Sequence, residues 1–199
     1  MNERGPYAKG IAKREEILEQ ALEVIGREGF AGASIKEVAE AVNLSQAGLL
    51  HYFDSKEDLF TAVLRKRDQI DGGVGVTGAA DLPELRERFQ ALARHNTGVP
   101  GLVELFSRMA VEAADQGHPA NTFFRDRGPD MRAGFAAALR GSQDRGTAPR
   151  GIDPDSFSRL LEAVSDGLQL QWLQDPTVDM VGLLGEFFDL VTAPEAADG

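Results

Sequence analysis

Gln46, Ala47, Gly48 and His51 form a run of small and polar residues whose chemistry suits the edges of DNA bases. A Gln side chain can bond adenine at two points, an Ala methyl can touch the methyl of thymine, and a Gly lets the backbone approach closely. Tyr52 and Lys56, just beyond, are placed to hold phosphates. Catalytic chemistry has no comparable set. The 199 residues include no Cys, which excludes disulfides, thiolate catalysis and every zinc site that needs sulfur, and only three His remain for other metal chemistry. A phosphate-binding glycine loop with its Lys-Ser/Thr, a His-Glu-x-x-His helix and a Gly-x-Ser-x-Gly turn are all lacking. The expectation is a protein that is not an enzyme and uses neither metal nor cofactor.

A base-reading face needs a rigid mount. Leu49 and Phe53, spaced four apart, anchor the other side of the same short helix in a core. Ser45 can cap that helix, which the pattern extends through Phe53. Before it, Ser34-Ile35-Lys36-Glu37 has the capping-box spacing and opens a helix with Ile35, Val38, Ala39 and Val42 on its buried stripe. Ala39 facing the bend and Leu44 plugging it meet the requirements of a helix-turn-helix. A preceding helix is expected from about Ala12 to Arg27, with Ile17, Leu18, Ala21, Leu22 and Ile25 inward and a stop at Gly29. Ser55-Lys56-Glu57-Asp58 caps a fourth, which buries Leu59, Phe60, Val63 and Leu64.

The rest of the chain repeats the helical period without any sustained strand alternation. Asp71 to Ala80 holds four glycines in ten residues and reads as a flexible joint. Helices are expected from Pro83 to about His95, from Pro100 onward, and from about Pro119 to Leu139, where Gly128-Pro129 would kink or split the last of these. Gly141 to Gly151 reads as a polar loop. Asp153-Pro154 opens a long helix through Gln174, and a final helix covers Val178 to Val191. The fold class is all-α, with nine helices, or ten if Gly128-Pro129 splits one.

From Lys13 to Arg67 the chain resembles the amino-terminal DNA-binding domain of the TetR family of transcriptional regulators. The resemblance lies in Ile17-Leu18, Ala21, Gly29-Phe30, Ser34-Ile35, Val38-Ala39, Val42 and above all the run from Gly48 to Leu59. It implies that Ser34 and Lys56 contact phosphate, that Ser45, Gln46, Ala47 and Gly48 face bases, and that Tyr52 contacts the DNA backbone; Lys36 and His51 complete the candidate set. Leu50 departs from the pattern, because many members carry an aromatic residue there, often a Tyr that touches DNA. Apolar packing or a thymine methyl contact would replace the usual phosphate bond.

The resemblance further implies a three-helix DNA-binding domain, residues 1–55, followed by a larger helical ligand-binding and dimerisation domain, residues 56–199. Asp166 to Pro176 resembles the penultimate helix of the subgroup that includes the choline-responsive repressor BetI, which does not make choline the ligand. The implied function is that of a ligand-responsive repressor, a homodimer on a palindromic double-stranded operator, released by a small-molecule effector. The alternative is a ligand-binding dimer whose DNA reader has decayed, a reading that draws on Leu50 and on the acidic total charge.

Leu160, Val164, Leu168, Val181, Leu184 and Phe188 recur at steps of three and four on the last two helices and are the candidate dimer interface. Gly182 and Gly185 suit close helix approach at that interface or a frayed terminal helix. His95, Phe106, Met109, Phe123, Phe124, Gln169 and Trp172 are the candidate ligand contacts. Each has a plainer reading: His95, like His118, as a helix-end or surface group, the Phe and Met residues as core, and Trp172 as core or interface packing.

Charge divides the chain. Residues 1–67 carry ten Lys and Arg against eleven Asp and Glu, whereas the protein as a whole has a formal charge of −11. All five lysines, Lys9, Lys13, Lys36, Lys56 and Lys66, lie in this front part. Bulk charge therefore argues against coating nucleic acid, while the near-neutral front third is the better candidate for touching a polyanion. Met1 to Gly10 lacks the apolar core of a secretory signal, and no segment approaches 18 apolar residues, so no membrane partner and a cytoplasmic location are expected.

Overall fold

The computed structural model describes residues 4–70 and 76–192. Among them the chain forms nine helices: α1 Arg4–Gly32, α2 Ile35–Ala41, α3 Gln46–Leu49, α4 Lys56–Ile70, α5 Leu82–Thr97, α6 Pro100–Glu112, α7 Asn121–Asp144, α8 Pro154–Gln174 and α9 Met180–Thr192. None of the described helices is long and apolar enough to cross a membrane.

The expected boundaries need four corrections. α1 starts at Arg4 rather than near Ala12, with Pro6 in its first turn, where a missing N–H costs nothing. Gly29 does break it, at φ 76°, but one more turn follows before Ala33. α3 ends at Leu49 rather than Phe53, because the Tyr52 N–H bonds the Leu49 carbonyl and tightens the last turn. α7 runs as one helix through Pro129 and on to Asp144, into the stretch expected as loop. Pro129 is exposed, so the carbonyl it leaves unpaired meets water instead of core. Gly141 lies within the helix and marks a close approach, because the chain at Ala80 passes so near that a β-carbon would strike its carbonyl oxygen. Of the expected joint, residues 71–75 lie outside the described residues.

Contacts divide the chain into two compact units, residues 1–70 with 99–124, and residues 71–98 with 125–199. This differs from the expected cut at residue 55, since α4 and α6 both pack on α1. In the first unit Ile17, Leu18, Ala21, Val24 and Ile25 of α1 meet Val38, Ala39, Leu49, Phe53, Leu59, Phe60, Val63, Leu102 and Leu105 in one core. Buried Arg67 donates to the Leu102 carbonyl at 3.0 Å and fixes α4 to the start of α6. In the second unit Phe89 lies 5.1 Å from Phe135 and 6.3 Å from Phe188, ring centre to ring centre, joining α5, α7 and α9. Asp81 and Asp153 cap α5 and α8 by accepting from the backbone N–H of Glu84 and Ser156.

Candidate nucleic-acid interface

The helix-turn-helix is built from two caps and a left-handed turn. Ser34 opens α2 with a full capping box: its hydroxyl and its backbone N–H (2.7 Å) both donate to Glu37 Oε2, and the Glu37 N–H donates back to Ser34 Oγ at 3.3 Å. These bonds hold the Glu37 carboxyl below the usual carboxylate range. At the bend Asn43 takes φ 55°, a conformation Asn tolerates better than other side chains, and the Leu44 N–H returns to the Ala39 carbonyl at 2.9 Å. Ser45 then caps α3 by accepting from the Gly48 N–H at 3.0 Å.

Leu49 is fully buried and Phe53 nearly so, and together they fix the rotation of α3. At about 100° per residue, Gln46, Leu50, Ala47 and His51 fall in that angular order on one continuous side, away from Leu49. Gln46, Ala47, Leu50 and His51 are all exposed, while Gly48 is half-buried against Leu44. Tyr52 is half-buried with its ring edge-on to His51. Arg14 of α1, which the sequence reading did not single out, stacks its guanidinium 4.7 Å from the Phe53 ring centre and supports this helix from behind.

The cations sort into structural and available ones. Lys13 donates to the Val42 carbonyl at 2.9 Å and pairs with Glu16, and Lys66 pairs with Glu15 at 2.7 Å, so both are committed to holding helices together. Lys56 is exposed, has no carboxylate partner among the described residues, and rests its ammonium over Phe30 and Phe60 at 5.8 and 5.1 Å. Lys36 is exposed with only a 3.8 Å pairing to Glu40. The Ser34 hydroxyl donates to Glu37, so a phosphate contact by Ser34 would have to displace that bond.

The candidate ligand residues divide between the two units. Phe106, Met109, Phe123 and Phe124 lie in or against the core of the first unit, with Phe124 5.2 Å from Phe106 and 4.9 Å from Phe123. His95 is exposed near the end of α5, Gln169 is half-buried, and Trp172 is buried on α8, all in the second unit. An open cavity of about 570 Å³ is lined by loop residues 146–151 and Thr192, and none of the candidates touches it.

The candidate interface residues also divide. Leu168, Leu184 and Phe188 are buried inside the second unit, whereas Leu160 is 59% exposed and Val164 and Val181 are half-buried. Leu170, Leu183 and Leu190 are exposed as well, and the seven-residue spacing of the last two was the signal that could have found them. Both glycines of α9 serve the subunit itself. At Gly185 a β-carbon would come 2.8 Å from Gln90 Nε2, so the close helix approach is to α5, and Gly182 leaves room for Asp179 to cap α9.

Residues 17–63 match the family described as bacterial regulatory proteins of the tetR family. The chain is similar to the HTH-type transcriptional regulator RutR of Escherichia coli, 39% identical over 82 residues that make up 41% of this chain and 35% of that protein. It is also similar to the HTH-type transcriptional regulator BetI of Rhizobium meliloti, 37% identical over 84 residues, 41% of this chain and 40% of that one. The likeness thus spans well under half the length of these relatives. A crystal structure of a putative transcriptional regulator from Saccharomonospora viridis in complex with choline superimposes with a TM-score of 0.68 at 25% identity, covering 88% of this chain and 95% of that one.

Proposed function

We propose that this chain, whose residues 17–63 match the tetR family of bacterial regulatory proteins, is a ligand-responsive repressor of that family that binds a palindromic operator as a homodimer and leaves it when a small molecule binds. The observation that carries the DNA reading is the division of α3 and the turn that follows it, with Leu49 and Phe53 in the core and Gln46, Ala47, Leu50 and His51 outward on one side. Lys36 and Lys56, both exposed, serve as phosphate contacts in this reading, and Tyr52 adds a hydroxyl. Two-fold symmetry would set the half-sites about 34 to 36 Å apart, one helical turn, or at a multiple of that distance.

Homodimerisation through α8 and α9 is supported by the exposed Leu160, Leu170, Leu183 and Leu190, which a partner copy would cover. The effector reading is supported by the Saccharomonospora viridis neighbour, which was crystallised with choline. A quaternary ammonium compound is therefore the first effector class to try. Coupling requires that the effector prefer the dimer geometry that does not fit DNA, and a tenfold loss of operator affinity corresponds to about 1.4 kcal/mol of that preference.

The test is selection of bound duplexes from a random-sequence library by the full-length protein, followed by release with candidate effectors found by thermal shift. An enriched palindrome, released by a stabilising compound, is expected. Enrichment of no sequence would overturn the DNA reading. Compounds that stabilise the protein without loosening the operator would overturn the switch.

A further inference from the structure

We infer that Leu50 is a base-reading residue, and that it reads the C5-methyl group of a thymine in the major groove. The inference rests on the proposed DNA-binding function and adds to it a residue and the chemical group it selects. Leu50 follows the buried Leu49 and yet is 43% exposed. Leu50 is the C-cap of α3, unstrained at φ −68°, and its N–H is bonded to the Gln46 carbonyl at 2.9 Å, so neither strain nor a hydrogen bond explains its outward position. Packing does not hold the side chain either, since Leu49 and Phe53 already supply the core contacts of this helix.

What Leu50 has is neighbours. Gln46 precedes it by one turn on the same side of the helix, and Ala47 and His51 continue the exposed side beyond it, which puts Leu50 within the row of side chains that would face base edges. A Leu side chain neither donates nor accepts a hydrogen bond. Pressed against the polar edge of guanine, cytosine or adenine, it would strip water from those groups and return nothing. The thymine methyl is the one apolar group in the major groove, and covering it with Leu removes apolar surface of both from water. Leu50 thereby selects thymine and rejects the other bases by leaving their polar edges unpaired.

The experiment uses the full-length protein and a duplex selected by it from a random library, with each thymine replaced in turn by deoxyuracil, which keeps the base pair and removes only the methyl. One replacement per half-site is expected to weaken binding by about fourfold, the value for one CH₂-sized group taken from water. The dependence of affinity on salt should not change, because no phosphate contact is lost. Leu50→Ala is expected to lose a similar factor on the unmodified duplex and to be indifferent to deoxyuracil at that one position. Ala47→Gly is the control, and it should keep the deoxyuracil penalty. Indifference of the wild-type protein to every replacement would overturn the inference and leave the DNA reading standing. A penalty that survives Leu50→Ala and vanishes in Ala47→Gly would overturn it in favour of Ala47. Failure to select any duplex would overturn the DNA reading and this inference with it.

Discussion

Gly101 of α6 lies against Gly29 of α1 so closely that a β-carbon on Gly101 would stand 2.7 Å from the Gly29 Cα and closer still to the Ile25 carbonyl oxygen. Both obstacles are backbone, which cannot swing aside as a side chain can. Gly101→Ala is therefore expected to destabilise the protein by roughly 2 kcal/mol, a clash of about 3 kcal/mol offset by about 1 kcal/mol of helix propensity. Gly26, on the same helix as Gly29, has nothing within 4 Å of its would-be β-carbon. Gly26→Ala should stabilise by about 0.5 to 1 kcal/mol. Urea unfolding of the two variants checks the contrast, and equal effects would remove the crossing of α1 and α6 as the reason for Gly101.

The capping box makes the helix-turn-helix sensitive to acid. Hydrogen bonds from Ser34 hold the Glu37 carboxyl below its ordinary value, so its contribution to stability is present above the unfolded carboxyl pKa and is lost as pH falls through the lowered folded value. The melting temperature of Glu37→Ala should lie below that of the wild type at neutral pH, and the gap should narrow below about pH 4. A gap that stays constant to about pH 2 would contradict the role of the charge.

Lys56 and Gln46 should fail differently. Lys56→Gln is expected to weaken binding to all sequences and to flatten the salt slope by about one unit, as loss of a phosphate contact does. Gln46→Ala should lose roughly 1 to 3 kcal/mol only on the duplex with the correct base. Titrations of both variants at several salt concentrations, on selected and scrambled duplexes, separate the two. Equal losses on both duplexes for Gln46→Ala would remove it from the base-reading set.

Surface leucines of α8 and α9 should separate assembly from folding. Leu160 and Leu190, 59% and 78% exposed, can each accept a charge without disturbing the subunit core. The double variant Leu160→Glu and Leu190→Glu should sediment as a folded monomer with weakened operator affinity, whereas Leu184→Ala, deep in the core, should cost about 2 to 5 kcal/mol of stability. A double variant that stays dimeric would place the interface elsewhere.

Much of this was legible in the sequence where the chemistry is local. Ser34, Ser45 and Asp153 all cap the helices their positions predict, because a cap needs only its own side chain and a backbone N–H three residues on. The exposed face of α3 was legible for the same reason, once Leu49 and Phe53 were taken as anchors. The reason for Gly141 inside α7 was not, since it lies in the passage of Ala80 some sixty residues away in sequence. Periodicity also could not tell Leu184 from Leu160. Steps of three and four mark an apolar face, and they do not say whether it is covered by α5 of the same chain or left open on the surface.

The most direct measurement of the central claim is the affinity of the full-length protein for its selected palindromic duplex relative to a scrambled duplex of equal length, by fluorescence anisotropy at one physiological salt concentration. Reading of base edges by Gln46, Ala47, Leu50 and His51 predicts binding to the palindrome that is tighter by roughly a thousandfold or more. Equal affinity for the two duplexes would contradict it.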